Sequence, residues 1–268
     1  LGGRIFRFNP VHPLHLAAYQ KQLTAFFDAH TYSIIHGQCS ELGYFFYKEA
    51  HRRGVPVIIA HGHNSKAAFD LKFPFRWFWK KRMLRYLTAY LSCGQEASVW
   101  LFGSALASKA FIMTNAVDSR QFAYNSAVAA TVKNELQCAT TKNIIHVGRF
   151  CSQKNHGFLL SVFHELYQLD SSYRLFLVGD GELRPALEQR VSQLGLQGAV
   201  HFLGLRSDVH RLLQAMDVFL FPSLFEGLPV SLVEAQASGI ACFISDGVPA
   251  EAVLLPDQVT VLDRKSVV

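Results

Sequence analysis

The sequence predicts an α/β fold built on parallel sheets, and three observations predict it. Residues 143–268 alternate short, uninterrupted apolar runs with segments whose apolar residues recur at helical spacing. Strands that are apolar on both sides belong in a sheet covered by helices on both faces. Most of the strand-like runs end in glycine, proline or polar residues that lead into the next helix, the rhythm of a strand–loop–helix repeat. Charge also divides the chain: residues 1–133 hold 16 Lys/Arg against 6 Asp/Glu, a balance of +10, while residues 134–268 hold 10 against 14, a balance of −4. A basic half joined to a mildly acidic half reads as two domains with different partners.

Taken in order, Tyr32–His36 and Val55–Ala60 read as buried strands on either side of a helix over Leu42–Arg53. Ala89–Ser92 and Ala110–Met113 are weaker strand candidates. Gln121–Lys142 is polar with little periodicity. The inter-domain connection is expected within it, at 126–142, between a first domain at 1–125 and a second at 143–268.

The second domain is read element by element. Asn143–Gly148 is a short apolar strand. His156–Leu169 carries Leu159, Leu160, Phe163, Leu166 and Tyr167 at helical spacing. Leu175–Gly179 is the next strand, and Leu183–Leu194 a helix with Leu183, Leu187, Val191 and Leu194 on one face. Val200–Leu203 is a short strand, after which Ser207 suits the N-cap of a helix containing Leu212 and Leu213. Val218–Pro222 is a strand, Pro229–Ser238 a helix stopped by Gly239, and Ala241–Ser245 another strand. In such sheets ligands bind beyond the carboxyl ends of the strands.

Half of the 268 residues are apolar, enough for a sizeable core, and no run of about 18 uncharged apolar residues suggests a spanning helix. Cys39, Cys93, Cys138, Cys151 and Cys242 are scattered without metal-type spacing, which reads as reduced thiols in a cytosolic protein.

Five stretches could carry chemistry. In Phe221–Glu234 (FPSLFEGLPVSLVE), Glu226 sits on a loop after a strand and Glu234 inside the following helix. Gly227 permits close backbone approach, and Pro229 suits the first helical turn, where its missing N–H goes unused. A helix N-terminus between two carboxylates suits a phosphate that carries hydroxyl-rich groups. In Gly148–Asn155 (GRFCSQKN), Arg149 and Lys154 stand at a strand–helix junction where two cations neutralise a diphosphate, or form an ordinary solvated loop. Gly179–Arg184 (GDGELR) is a similar junction, with a common Asp-Gly turn as its bland reading. His61–Ser65 (HGHNS) follows the strand VPVIIA and faces substrate, is merely structural, or begins a metal site that lacks further ligands at suitable spacing. Lys72–Tyr86 (KFPFRWFWKKRMLRY) interleaves Arg76, Lys80, Lys81, Arg82 and Arg85 with Trp77, Trp79 and further aromatics. It fits an anionic membrane surface, a nucleic acid, or an ordinary helix with solvated cations.

Together these motifs, joined by Gly204–Ser223 (GLRSDVHRLLQAMDVFLFPS), resemble the retaining glycosyltransferases of family four, with the two Rossmann-like domains of the GT-B architecture. The likeness covers nearly all of 143–263. Val55–Ser65, Ser92–Gly103 and Asn115–Phe122 are similar to the branch that builds bacterial capsular and exopolysaccharides. The resemblance implies that Arg149, Lys154, Gly227 and Leu228 hold the donor diphosphate and that Glu234 accepts from the ribose hydroxyls. It places Gly181, Leu183 and Arg206 on the base side, and gives His63 (His61 as second choice) and Glu226 the catalytic contacts with the donor sugar. It also implies that the first domain is incomplete, and that the family's last helices follow the second. Ala116 stands where the family commonly has glycine, a strain if that position needs a positive φ.

The reaction so implied moves a hexose-type sugar, with retention, from a nucleotide-diphosphate sugar, by family habit a UDP-sugar, to a glycan or polyprenyl-linked acceptor. The acceptor attacks the face that the diphosphate leaves and gives its proton to the leaving phosphate. Arg149, Lys154 and the helix N-terminus stabilise the growing negative charge, so no metal and no other cofactor is expected. The protein is expected at the inner face of the plasma membrane, cytoplasmic and peripheral. Its basic aromatic segment, through Arg76, Trp77, Trp79, Lys80, Lys81 and Arg82, would rest on anionic lipid; nucleic acid is not expected as a partner. The alternatives are a non-catalytic GT-B-like scaffold and a nucleotide-sugar epimerase.

Overall fold

The computed structural model describes residues 3–38, 41–64 and 73–263. The chain forms two compact units that divide between Thr114 and Asn115.

Unit one contains α1 (Leu16–Ala29), β1 (Ile34–Gly37), α2 (Tyr44–Arg52), β2 (Val57–Gly62), α3 (Phe73–Met83), β3 (Ala89–Ser92), α4 (Gln95–Phe102), α5 (Ser104–Ala107) and β4 (Phe111–Ile112). Its strands pair in the order β1-β2-β3-β4, all parallel. Tyr19, Leu23 and Phe27, four residues apart, form the buried stripe of α1. They join Phe45 and Tyr47 of α2, Ile58 and Ala60 of β2, and Met83 in one core.

Unit two contains α6 (Ser119–Phe122), α7 (Ser126–Glu135), β5 (Lys142–Val147), α8 (His156–Leu169), β6 (Tyr173–Val178), α9 (Arg184–Gln193), β7 (Val200–Gly204), α10 (Val209–Gln214), β8 (Val218–Phe221), α11 (Val230–Ala237), β9 (Ala241–Ser245) and β10 (Val259–Leu262). The six strands run parallel in the order β10-β9-β8-β5-β6-β7. The chain winds one way from β5 to β7 and the other from β8 to β10, so the strand order reverses between β5 and β8. That reversal opens the crevice where such sheets take ligands. β5 pairs with β8 at Ile144↔Val218 and Ile145↔Phe219.

Several local expectations change. Residues 126–142, read as a connection, contain α7, which belongs to unit two and is capped by the Asn125 side chain on the amides of Ala127 and Val128. The residue before α10 is Asp208, not Ser207. Pro229 stands one residue ahead of α11, as its cap. Ala116 has no positive φ and so carries no strain of that kind.

Candidate functional site

The loop after β5 and the loop after β6 are locked together. Gly179 has φ +137° and lies so close to the Gly148 carbonyl that a Cβ could not fit. A Cβ on Gly181 would stand 2.5 Å from the Phe150 carbonyl oxygen. Phe150 N–H donates to Asp180 O at 3.0 Å, and Leu183 N–H to Phe150 O at 3.1 Å. Above this seam Arg149, 72% exposed, pairs with Glu182 at 3.0 Å. Arg206 forms two bonds of 2.7 Å to the Asp208 carboxylate.

The loop after β8 is fastened to the loop after β5. Leu224 N–H donates to Gln153 O at 2.8 Å, and Gln153 Nε2 donates to Phe225 O and to Glu226 Oε2. Lys154 Nζ meets Glu226 Oε1 at 2.7 Å, with side chains 14% and 7% exposed, and sits 4.5 Å from the centre of the Phe221 ring. Glu226 N–H is held by Gly247 O at 3.1 Å. Leu228 is buried, and its carbonyl accepts from Asn115 Nδ2 at 2.6 Å. Gly227 lies between these two anchored residues, and no side chain caps the start of α11. Glu234, half-buried on α11, has no side-chain hydrogen bond or ion pair with the described residues, and burial raises its carboxyl above the usual glutamate range.

Thus Lys154, Glu226, Gly227, Leu228 and the α11 N-terminus gather at the carboxyl edge of β5 and β8, with Glu234 further along α11. Arg149, Gly181 and Leu183 lie along the β5–β6 side, and Arg206 follows β7. The arrangement offers a cation, uncapped helical amides and an unpartnered carboxylate, a combination suited to a phosphate group bearing hydroxyls.

Two buried histidines beneath this edge escaped the sequence reading. His146 on β5 is fully buried. Its Nδ1 donates to Leu220 O at 2.9 Å, and its Nε2 has no partner among the described residues. His156, first residue of α8, lies 4.6 Å ring to ring from His146 and 4.8 Å from Phe150. Burial, then neighbouring positive charge, pushes His156 down to about 4, and burial holds His146 well below the ordinary range. A histidine inside the apolar run NIIHVG was the available signal.

In unit one, His36 Nε2 meets His61 Nδ1 at 3.1 Å, Gln38 bonds His36, and His63 bonds Gln38. Burial first, and the two neighbouring imidazoles next, push His61 down to about 4; His63 is also lowered. Among the described residues no group of three or more His, Cys, Asp or Glu is arranged to hold a metal ion. Cys39, Ser65 and Lys72 lie outside the described residues.

The basic aromatic segment forms α3 with two different faces. Trp79 turns inward onto Tyr44 and Phe45, at 4.4 and 4.8 Å, and Lys80 donates to the Trp100 carbonyl at 2.6 Å. Arg76 is half-buried on the same side. The outer face carries Phe75, Trp77 and Phe78, each more than 40% exposed. Lys81 lies 4.0 Å over Trp77 and Arg82 4.4 Å over Phe78. Of the six residues expected to meet a membrane, Trp79 and Lys80 thus pack on the protein, and Phe75 and Phe78 join the outward set. No described helix is long and apolar enough to cross a membrane.

Residues 131–266 match the family described as "Glycosyl transferases group 1". The chain is 34% identical over 255 residues to "Putative glycosyltransferase EpsF" of Bacillus subtilis, covering 92% of this chain and 66% of that protein. It is 27% identical over 227 residues to the "UDP-Gal:alpha-D-GlcNAc-diphosphoundecaprenol alpha-1,3-galactosyltransferase" of Escherichia coli, covering 80% of this chain and 58% of that one. The chain therefore spans less than two thirds of either relative. Among solved structures, Anabaena HepE in complex with UDP and glucose superposes with a TM-score of 0.81 at 17% identity, over 97% of this chain and 72% of that one. The α/β fold with two parallel sheets matches the GT-B glycosyltransferase structures.

Proposed function

The chain belongs to the family of group 1 glycosyl transferases, and from that premise we propose that it moves a hexose-type sugar, with retention, from a nucleotide-diphosphate sugar to a glycan or polyprenyl-linked acceptor in bacterial surface polysaccharide synthesis. The observation that carries this reading is the meeting of Lys154, Glu226 and the uncapped start of α11 at the β5–β8 crevice. UDP is the favoured nucleotide, since the similar HepE structure and the galactosyltransferase relative are both described with it.

In this reading Arg149, Lys154 and the amides at Gly227 and Leu228 receive the diphosphate, and Glu234 accepts from the ribose hydroxyls. Gly181, Leu183 and Arg206 border the base. Glu226 and His63 touch the transferred sugar. The C–O bond to the diphosphate breaks as the acceptor oxygen bonds the same face of the anomeric carbon, and the acceptor proton passes to the leaving phosphate. The residues' work is electrostatic: positive charge is already in place where negative charge grows. Two cations and a helix N-terminus supply that charge, so the reading invokes no metal. For Arg149 to act it must exchange Glu182 for phosphate, and Lys154 must share itself between Glu226 and phosphate.

The outer face of α3 would hold the protein peripherally at the cytoplasmic side of the membrane, beside a lipid-linked acceptor. The relative that acts on a diphosphoundecaprenol substrate supports this, as does the absence of acidic residues between Asp70 and Glu96. The reading calls for no nucleic acid.

The test is a thermal-shift screen of nucleotide sugars against the intact protein. A donor at 100 times its Kd stabilises by about 2.7 kcal/mol. A response to UDP-sugars and turnover with a lipid-linked acceptor are expected. No response to any nucleotide sugar refutes the reading.

A further inference from the structure

At the β5–β8 crevice the strands part after Ile145 and Phe219. Just beyond, the His146 imidazole donates to the Leu220 carbonyl at 2.9 Å. That bond fixes the tautomer: Nδ1 carries the proton, so Nε2 is a bare acceptor. A Cβ at Gly148 would stand 3.1 Å from this Nε2 and 3.2 Å from Lys154 Cε. The unprotonated nitrogen and the lysine stem therefore flank the same small space, the one that glycine leaves open. The Phe221 ring lies stacked on His146 at 5.5 Å and also under the Lys154 ammonium at 4.5 Å.

A fully buried nitrogen without a donor is unfavourable by the standard of protein interiors, and a phenyl ring would fill the same slot without that penalty. What the imidazole adds is an oriented dipole with its negative end at Nε2, beside the stem of the cation. Nearby, Lys154 is neutralised mainly by Glu226. On the reading above, Glu226 turns to the sugar and Lys154 to the diphosphate, and the ammonium then needs another fixed negative pole to hold it at the crevice.

We propose that His146 is a positioning residue for Lys154, holding the ammonium at the diphosphate through its Nε2 dipole and the His146–Phe221 stack. This rests on the proposed donor site. His146 itself touches no substrate.

The test is a double-mutant cycle in the intact protein, with UDP as the probe in calorimetry and donor KM and kcat measured separately. Lys154→Met keeps the stem and removes the charge. His146→Phe keeps the stacked ring and removes both nitrogens. His146→Asn keeps a donor for the Leu220 carbonyl and removes the acceptor, and decides the matter if the Phe variant does not fold. In the wild-type background either His146 variant is expected to weaken UDP about tenfold, the scale of one oriented polar interaction, with donor KM affected more than kcat. In the Lys154→Met background the same change is expected to have no further effect. Additive effects, or a folded His146→Asn protein with unchanged UDP affinity, overturn the inference. Unchanged UDP affinity in Lys154→Met alone overturns the donor site itself, and this inference with it.

Discussion

Lys154 and Glu226 form a 2.7 Å ion pair that is almost wholly withdrawn from water, joining the loop after β5 to the loop after β8. Removing one partner of such a pair strands the other charge, at about 3–5 kcal/mol. Glu226→Ala is expected to lower stability by about 3 kcal/mol, whereas Lys154→Met combined with Glu226→Gln recovers most of that loss. Urea unfolding of the three proteins checks it; equal losses in single and double variants refute the pairing.

Burial of the Glu234 carboxyl costs stability at neutral pH. Its carboxyl titrates higher folded than the ordinary 4.5, so the ionised form is disfavoured by the fold. That penalty is absent well below 4.5, where both states are protonated, and complete above the folded value. Glu234→Gln should therefore raise the melting temperature at pH 7, with the gain fading toward pH 4. The same substitution should weaken UDP-sugar binding about tenfold through the lost charged acceptor. A protein that is less stable at pH 7 contradicts the account.

His61 and His156 are both pushed down to about 4 from an ordinary 6.5. The folded chain keeps them neutral while the unfolded chain takes up protons below 6.5. Their contribution is fully present above pH 6.5 and is lost as pH falls toward 4. Urea midpoints should fall steadily from pH 7 to pH 5, and His156→Leu should flatten the slope. A slope unchanged in that variant argues against burial as the cause.

The two faces of α3 predict opposite phenotypes. Replacing Lys81 and Arg82, together with the exposed Arg85 in the turn just after α3, with alanine should reduce binding to vesicles of phosphatidylglycerol and phosphatidylcholine on the order of a hundredfold, at about 1 kcal/mol per cation, and leave the melting temperature nearly unchanged. Trp79→Ala should instead cost about 3–5 kcal/mol of stability. Undiminished sedimentation with vesicles by the triple variant removes the membrane from the proposal.

Gly179 cannot accept a side chain. Gly179→Ala should destabilise by more than about 2 kcal/mol, combining an unfavourable positive φ with a collision against the Gly148 carbonyl. Gly195→Ala, at φ +69° with open space around it, isolates the conformational share. Similar losses at both positions would show that the close approach contributes little.

Much of unit two was legible because its strands are buried on both sides and so appear as unbroken apolar runs: Ile144, Ile145, Leu175, Phe176 and Leu177 leave little ambiguity. α7 was not legible, because its buried positions are only Ala129 and Val132, too small a stripe to stand out from polar neighbours. β10 is only four residues long (VTVL) and mostly exposed, too short an apolar run to stand out from its surroundings. The loop residues of the site could be named in advance from their places at strand–helix junctions, but their pairings could not. That Lys154 takes Glu226, and Arg149 takes Glu182, depends on how three loops meet. On α3 aromatic and basic residues occur all round, so composition could not say which face turned inward. Trp79 and Lys80 were settled only by Tyr44, Phe45 and Trp100.

The contact between Gly179 and Gly148 is a seam of bare backbone, reinforced by the bonds of Phe150 to Asp180 and Leu183. In the proposed chemistry the phosphate end of the donor rests on one side of that seam and the base end on the other. With no side chain to compress, the spacing between the loops after β5 and β6 is set by backbone packing alone.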